Sequence, residues 1–422
     1  MINELLTFLH HSYTPYHAVE LAKNVLLENG FTPLKETEDW LLNEGGKYFV
    51  ERGGSALIAF TVENLDGFAF KIIASHTDSP ALKIKENPAT SCANCIKLNV
   101  EKYGGGIWYS FFDRPLKIAG RLVKKTEDGV CSQTYVSPFN VCIPSLAIHQ
   151  NKQVNDGFSV NAQVDLQPVY SLCGDDTIEN DLSDSDVISY DLFAVNADMP
   201  HSFGVNDEFI LSPRIDNLTS VYASLTALLN HASSSGICMA VCLDNEEVGS
   251  RSAQGADGDF LQNVLRRIAY ALKFDDIEYY KALANSFLLS LDNAHAMHPN
   301  HPEKSDPTNK TMLGKGIVIK HHAGMAYTTD ALSSGVLKCL FDKAGVAHQN
   351  YFNRSDVASG STLGNLAMTH TGVMAADIGL AQLAMHSACE CFAKKDYEEL
   401  VNGLNAFYSS KLTKDGQNVK ID

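Results

Sequence analysis

The chain has 422 residues, with 33 Lys+Arg against 50 Asp+Glu, a formal net charge of −17. At roughly 150 residues per domain this length predicts two or three domains and a large core that needs no covalent staples. An apolar fraction of 45% excludes disorder, and the acidic surplus argues against nucleic-acid or anionic-membrane partners, which call for basic patches.

The N-terminal segment reads as two helices. Leu5, Leu6, Phe8 and Leu9 recur at helical spacing, and a second pattern runs from Ala18 to Leu27 and ends at Gly30. No signal-peptide pattern opens the chain and no run reaches the ~20 apolar residues of a membrane span. Strand candidates follow at Tyr48–Val50, Ala56–Val62 and Phe70–Ala74. From about Ile96 to Val195 the runs are short, rich in β-branched and aromatic residues and separated by turn residues, as at Ile96–Val100, Lys117–Val123 and Ser189–Val195. This stretch reads as an all-β insert, with an exposed acidic loop at Asp175–Asp186.

After about Phe209, helix and strand patterns alternate. Helices are predicted at Leu218–Leu229, Phe260–Leu272, Ala331–Phe341 and Tyr397–Tyr408, and strands at Cys238–Leu243, Ser286–Leu291, Ile317–Lys320 and Gly372–Ile378. The alternation implies an α/β fold with a mostly parallel sheet flanked by helices. The ten cysteines mostly fall in apolar runs, which predicts reduced, buried thiols and a cytoplasmic protein.

In such sheets ligands bind beyond the carboxyl ends of the strands. Three apolar strand candidates end there in metal-ligand residue types: Phe70–Ala74 runs into Ser75-His76-Thr77-Asp78, Cys238–Leu243 into Asp244-Asn245-Glu246-Glu247, and Ser286–Leu291 into Asp292-Asn293-Ala294-His295. Asp216 and His386 are further candidates. His and carboxylate donors suit zinc or a similar divalent ion. His76, Asp216, Glu247, Asp292 and His386 serve two ions if one carboxylate bridges. Asp78 is placed to orient His76, and Glu246 is left free as a general base. Any one of these signals alone is weak, since an acid at a strand end is usually a turn or a cap. Their recurrence on successive strands is the informative feature. His295, His298 and His301 form an H-x2-H-x2-H run with the look of a metal tract, Cys92-x2-Cys95 reads as structural thiols, and Gly104-Gly105-Gly106 as a tight bend.

Over nearly its whole length the chain resembles the M18 metallo-aminopeptidases, the aspartyl aminopeptidase family, in its bacterial type. The resemblance rests on Ser75-His-Thr-Asp-Ser-Pro80, Tyr103-Gly-Gly-Gly-Ile-Trp108, Phe112-Asp-Arg-Pro115, Leu146-Ala-Ile-His149, Ser212-Pro-Arg-Ile-Asp-Asn217, Asp244-Asn-Glu-Glu-Val-Gly-Ser250, Asp292-Asn-Ala-His-Ala-Met-His-Pro-Asn300 and Ala384-Met-His-Ser387. It implies a dinuclear zinc-peptidase fold, with a catalytic domain at residues 1–90 and 208–422 and an all-β dimerisation domain inserted at 91–207. It also implies two divalent ions per subunit, Zn2+ by default with Co2+ or Mn2+ possible. His76, Asp216 and Asp292 would hold one, and Asp216, Glu247 and His386 the other, which leaves His295, His298 and His301 as loop and supporting structure. Glu246 matches the general base and Asp78 the carboxylate that orients His76. His149 matches a histidine that reaches a neighbouring subunit's active site, and Tyr327 would join it at the oxyanion.

The same resemblance implies aminopeptidase action on short peptides by a homo-oligomer, a dodecamer built from dimers. Lys320 matches a lysine that pairs with an N-terminal Asp or Glu, and Gly360 and Ser361 match the substrate-lining segment. His322, Met325 and Ala326 stand where the family has Asn and Gln-Arg, which leaves acidic and broader preferences both open. A related dinuclear carboxypeptidase or N-deacylase, or a non-catalytic oligomeric scaffold, are the alternative readings.

Overall fold

Alternation along the strands builds the centre of the molecule. In the computed structural model, which describes residues 1–173, 178, 186–232 and 235–422, the strand Ile237–Leu243 is buried throughout. It sends Cys238, Ala240 and Cys242 into one hydrophobic cluster and Ile237, Met239, Val241 and Leu243 into another. A strand apolar on both faces belongs inside a sheet covered on both sides.

That sheet has nine strands, in the order Thr32–Leu34, Lys47–Arg52, Ala56–Val62, Ile237–Leu243, Phe70–His76, Phe287–Leu291, Met374–Gly379, Ile317–His321 and His348–Phe352. The four strands from Ile237–Leu243 to Met374–Gly379 are parallel neighbours. The flanks are mixed, because Ala56–Val62 pairs antiparallel with both of its neighbours and Ile317–His321 runs antiparallel to Met374–Gly379. Lys47–Arg52 and Ala56–Val62 are joined by a short turn rather than a helical crossover, so they run antiparallel.

One face is covered by the N-terminal helices Ile2–His11 and Pro15–Glu28 together with Ile215–Asn230, Ala331–Ala344 and Lys394–Ser409. Phe260–Ala271, Asp276–Asn285 and Leu363–Thr371 cover the other. Pro15 opens its helix at the first turn, where its missing N–H costs nothing, and Gly30 follows the end with φ +79°.

A six-stranded antiparallel sheet stands apart: Gly129–Val136, Leu116–Thr126, Val187–Asn196, Ala81–Cys92, Cys95–Tyr103 and Val169–Leu172. Its first strand begins at Ala81, so the β unit starts ahead of the predicted residue 91. It is also not all β, since Ala162–Asp165 is helical with Asn161 as its cap. The acidic stretch at 175–186 falls almost wholly outside the described residues. The hairpin at Cys92 and Cys95 turns on Ala93 and Asn94, both at positive φ (51° and 60°), and its two thiols are free. Only Cys238, Cys242, Cys389 and Cys391 are buried, and Cys92, Cys131, Cys173 and Cys339 are exposed. The expectation of mostly buried cysteines fails at Cys92 and Cys131, on stretches of strand that are exposed residue after residue, at Cys173, just past Val169–Leu172, and at Cys339, on the outer face of Ala331–Ala344. Among the described residues no helix is long and apolar enough to cross a membrane.

A third, five-stranded sheet joins His201–Phe203, Phe209–Ser212, Glu390–Ala393, Ala381–Leu383 and Ala294–His295. It pairs Ser212 with Glu390 and so brings two distant stretches of chain beside the carboxyl ends of the central strands.

Candidate metal centre

The parallel register aligns three strand ends. Leu243 lies opposite His76, and Ser290 opposite Ala74, so Asp244–Glu247, His76–Asp78 and Asp292 emerge along one edge. Asp216, at the start of Ile215–Asn230, and His386, on the loop before Glu390–Ala393, close over that edge.

Ligand atoms of His76, Asp216 and Asp292 lie within 4.8 Å of one another, as do those of Asp216, Glu247 and His386 and those of His76, Glu246 and Glu247. His76 Nε2 is 3.7 Å from Asp216 Oδ1 and 3.8 Å from Asp292 Oδ1. His386 Nε2 is 3.4 Å from Asp216 Oδ2 and 3.2 Å from Glu247 Oε1. Asp216 therefore directs one oxygen to each triad. Its Oδ1 is buried and accepts no hydrogen bond, which ordinarily carries a penalty of about 1–3 kcal/mol. A cation between the donors removes it, and an N/O donor set of imidazoles and carboxylates fits zinc.

Asp78 is buried and fixes several parts of this edge. Its Oδ1 lies 3.3 Å from His76 Nδ1 and accepts from Glu246 N at 3.1 Å, while Oδ2 accepts from Glu247 N at 3.1 Å and from the Tyr103 hydroxyl at 2.8 Å. The Tyr103 hydroxyl in turn accepts from Asn245 Nδ2 at 2.9 Å. Tyr103 ends a strand of the β insert, and the glycines after it run against the centre. Gly104 has φ +75°, and a Cβ there would lie 3.1 Å from Glu247 Cβ. Gly105 O lies 3.1 Å from His386 Nδ1, and Ile107 N donates to His386 O at 2.8 Å. The tight bend expected at these glycines is the close approach of the insert to the Glu247 and His386 triad.

Crowded carboxyls shift one another. Burial, reinforced by Asp292, Glu247 and Asp78, pushes Glu246 up to about 8. Burial and Asp78 push Asp244 up to about 7. For the imidazoles burial works the other way, yet Asp216 and Glu247 hold His386 up at about 12, and Asp292 and Asp78 keep His76 well above its ordinary value.

Lys320 departs from expectation. It is buried, its Nζ lies 3.4 Å from Asp292 Oδ2, donates to Asn293 O at 3.1 Å and sits 4.9 Å from the Tyr327 ring. The predicted free cation for a substrate carboxylate is already engaged, and it holds Asp292 well below the usual carboxylate range against the opposing effect of burial. The sequence suggests a lysine near Tyr327 but not its partner, which comes from another strand.

Tyr327 is buried, whereas Gly360 and Ser361 are exposed. The two segments are tied together by Asp377, which accepts from Thr328 N and Oγ1 at 2.6 and 2.7 Å and from Thr362 Oγ1 at 2.6 Å. His149 is exposed on the insert and makes no hydrogen bond or ion pair to the cluster among the described residues. His295, His298 and His301 belong to none of the three groups. Sequence reasoning missed Tyr103 and Asp377 as supports. It also missed Glu390, although a charged residue heading the apolar strand Glu390–Ala393 is a legible signal.

The model of the Aminopeptidase I zinc metalloprotease family (M18) matches residues 8–408. The chain belongs to the M18 family. It is 41% identical over 425 residues to a probable M18 family aminopeptidase 2 of Clostridium acetobutylicum, covering 96% of this chain and 98% of that one. A relative of the same name from Clostridium novyi is 42% identical over 424 residues, with the same coverage. Among solved structures, the cryo-EM structure of the Ape4 and Nbr1 complex superposes with a TM-score of 0.91 at 34% identity, covering 96% of this chain and 84% of that one. The S. cerevisiae mApe1 dodecamer does so with a TM-score of 0.82 at 26% identity, covering 96% and 95%. As an M18 member the protein is a metallo-aminopeptidase, a hydrolase acting on peptide bonds.

Proposed function

We propose that the chain removes N-terminal residues from short peptides at a dinuclear centre, with Asp216 bridging and Glu246 as general base. The observation that carries this reading is the pair of His–carboxylate triads sharing Asp216, with Glu246 beside them. His76, Asp216 and Asp292 would hold one ion, and Asp216, Glu247 and His386 the other. Two divalent ions there would lower the pKa of a shared water toward ~7 and offset negative charge developing on the substrate carbonyl. Zinc is the default, and Co2+ and Mn2+ suit the same donors.

Glu246 takes the proton of the attacking water and returns it to the leaving amine. Its backbone N–H is held by Asp78, which limits the arc its carboxyl sweeps. Tyr327, held at its neighbour Thr328 by Asp377, would donate to the carbonyl oxygen as it becomes an oxyanion. A free α-amine finds its counter-charge in the surrounding carboxylates, which selects the end of a peptide. The engagement of Lys320 by Asp292 favours a broad N-terminal preference over a strictly acidic one, with Gly360 and Ser361 lining the entrance.

His149 would complete the site of a neighbouring subunit, the β insert serving as the dimerisation unit and the split remainder as the catalytic domain. On the same insert Leu146 and Val164 line one surface hollow and are 64% and 67% exposed, apolar surface that a second copy would cover. A dodecamer built from such dimers follows the mApe1 relative. The test is a panel of free and N-acetylated peptides, assayed after chelation and after Zn2+, Co2+ or Mn2+ addition. Metal-dependent release from free N-termini only is expected. Cleavage of blocked peptides would point to an N-deacylase or carboxypeptidase instead.

A further inference from the structure

Glu390 is fully buried, outside the three ligand groups, and heads a strand whose other residues are Cys391, Phe392 and Ala393. A carboxyl in such a place is costly unless every lone pair is used. Here Oε2 accepts from Asp216 N at 2.9 Å, and Oε1 accepts from His386 N at 2.6 Å and from Gln382 Nε2 at 3.3 Å.

We propose that Glu390 is a positioning residue for the centre, gripping the backbone N–H groups of Asp216 and His386 at once and so fixing the shared carboxylate against the imidazole of the second triad. This rests on the dinuclear reading above. Asp216 and His386 lie 170 residues apart on different elements, and within the centre they meet only through side chains among the described residues, His386 Nε2 lying 3.4 Å from Asp216 Oδ2. Glu390 is the tie between their main chains.

His386 is a non-glycine residue at φ +67°, a conformation that its own sterics disfavour. The N–H bond to Glu390 and the carbonyl bond from Ile107 hold it there. The grip is itself anchored. Gln382 Oε1 accepts from Asn293 Nδ2 at 2.8 Å, and Asn293 Nδ2 also donates to Ile215 O at 3.1 Å. A buried polar chain, Asn293–Gln382–Glu390, thus runs behind the centre from the neighbour of Asp292 to Asp216 and His386. All the contacts at the Glu390 carboxyl are donors, so an amide in its place would turn an NH2 against an N–H.

The test uses the full chain in its native assembly, wild type and Glu390→Gln, stripped by chelation and titrated with Zn2+ against a chromophoric chelator and with Co2+ by visible absorption. The wild type is expected to bind two ions. E390Q should bind the second about 10- to 100-fold more weakly, with an altered cobalt spectrum, an unchanged far-UV circular dichroism spectrum and a loss in kcat rather than KM that excess Zn2+ restores. Glu390→Asp, which keeps both acceptor oxygens, should recover part of the affinity. Two wild-type ions with unchanged affinities and spectrum in E390Q would overturn this inference alone. A wild-type chain that takes up no divalent ion would overturn the reading beneath it as well. If E390Q does not fold, Gln382→Met serves the same purpose: a weakened second ion supports the role, and wild-type affinities contradict it.

Discussion

Lys320→Met separates two roles for the most deeply buried lysine of the centre. The ammonium lies 3.4 Å from Asp292 Oδ2, a gross Coulomb attraction of about 5 kcal/mol at an effective dielectric constant near 20. Removing one partner of such a buried pair costs about 3–5 kcal/mol, and the Asn293 carbonyl loses its donor too. The metal-free variant should therefore unfold with a deficit of that order, measured by denaturant titration in chelator, and bound Zn2+ should shrink the deficit by giving Asp292 another cation. The sign with pH follows from the direction of the Asp292 shift. A depressed carboxyl contributes stability above its unfolded value, lost as pH falls, whereas in the variant only His76 is left to oppose burial and the Asp292 carboxyl rises. The gap between wild type and variant is then widest at neutral pH and narrows toward the ordinary carboxylate range. Unchanged metal-free stability, with a loss confined to N-terminal Asp and Glu peptides, would refute this and restore Lys320 as a specificity cation.

Tyr103→Phe removes one hydroxyl that donates to Asp78 and accepts from Asn245. A loss of about 2–4 kcal/mol is expected from a charged and a neutral hydrogen bond together, read by denaturant titration, with weakened metal retention. Gly104→Ala sets a Cβ at positive φ against Glu247, so metal content after dialysis should fall while the β insert stays folded by circular dichroism. The metal-free protein should lose thermal stability as pH rises from 6 to 9. Burial pushes Glu246 up to about 8, so between the ordinary carboxylate range and that value the folded state holds a proton that the unfolded chain has released. Zn2+ should flatten that slope. Glu246→Gln should keep its metals and lose about 10²- to 10⁴-fold in kcat, measured by steady-state kinetics beside metal analysis.

The central strands are legible because they are apolar on both faces and short. Their parallel register then places His76, Asp292 and Glu246-Glu247 on one edge, as the strand-end rule anticipates. The flanking strands are not legible as antiparallel, since pairing direction depends on connections such as the turn between Arg52 and Ala56 rather than on side-chain pattern. Nor does periodicity mark Leu363–Thr371 or His348–Phe352, whose polar residues mask the buried stripe. At the site, residue type and strand-end position point to the ligands. What holds those ligands is tertiary: Asp292 meets Lys320, Tyr103 meets Asp78, and Glu390 meets two main-chain N–H groups far apart in sequence. A buried acid read from sequence gives no sign of which donors will surround it.

Zinc-edge anomalous diffraction from the reconstituted protein tests the dinuclear centre most directly. Two peaks flanking the Asp216 carboxylate are expected, one also bound by His76 and Asp292 and the other by Glu247 and His386. A single peak, or density at His295, His298 and His301, would contradict it.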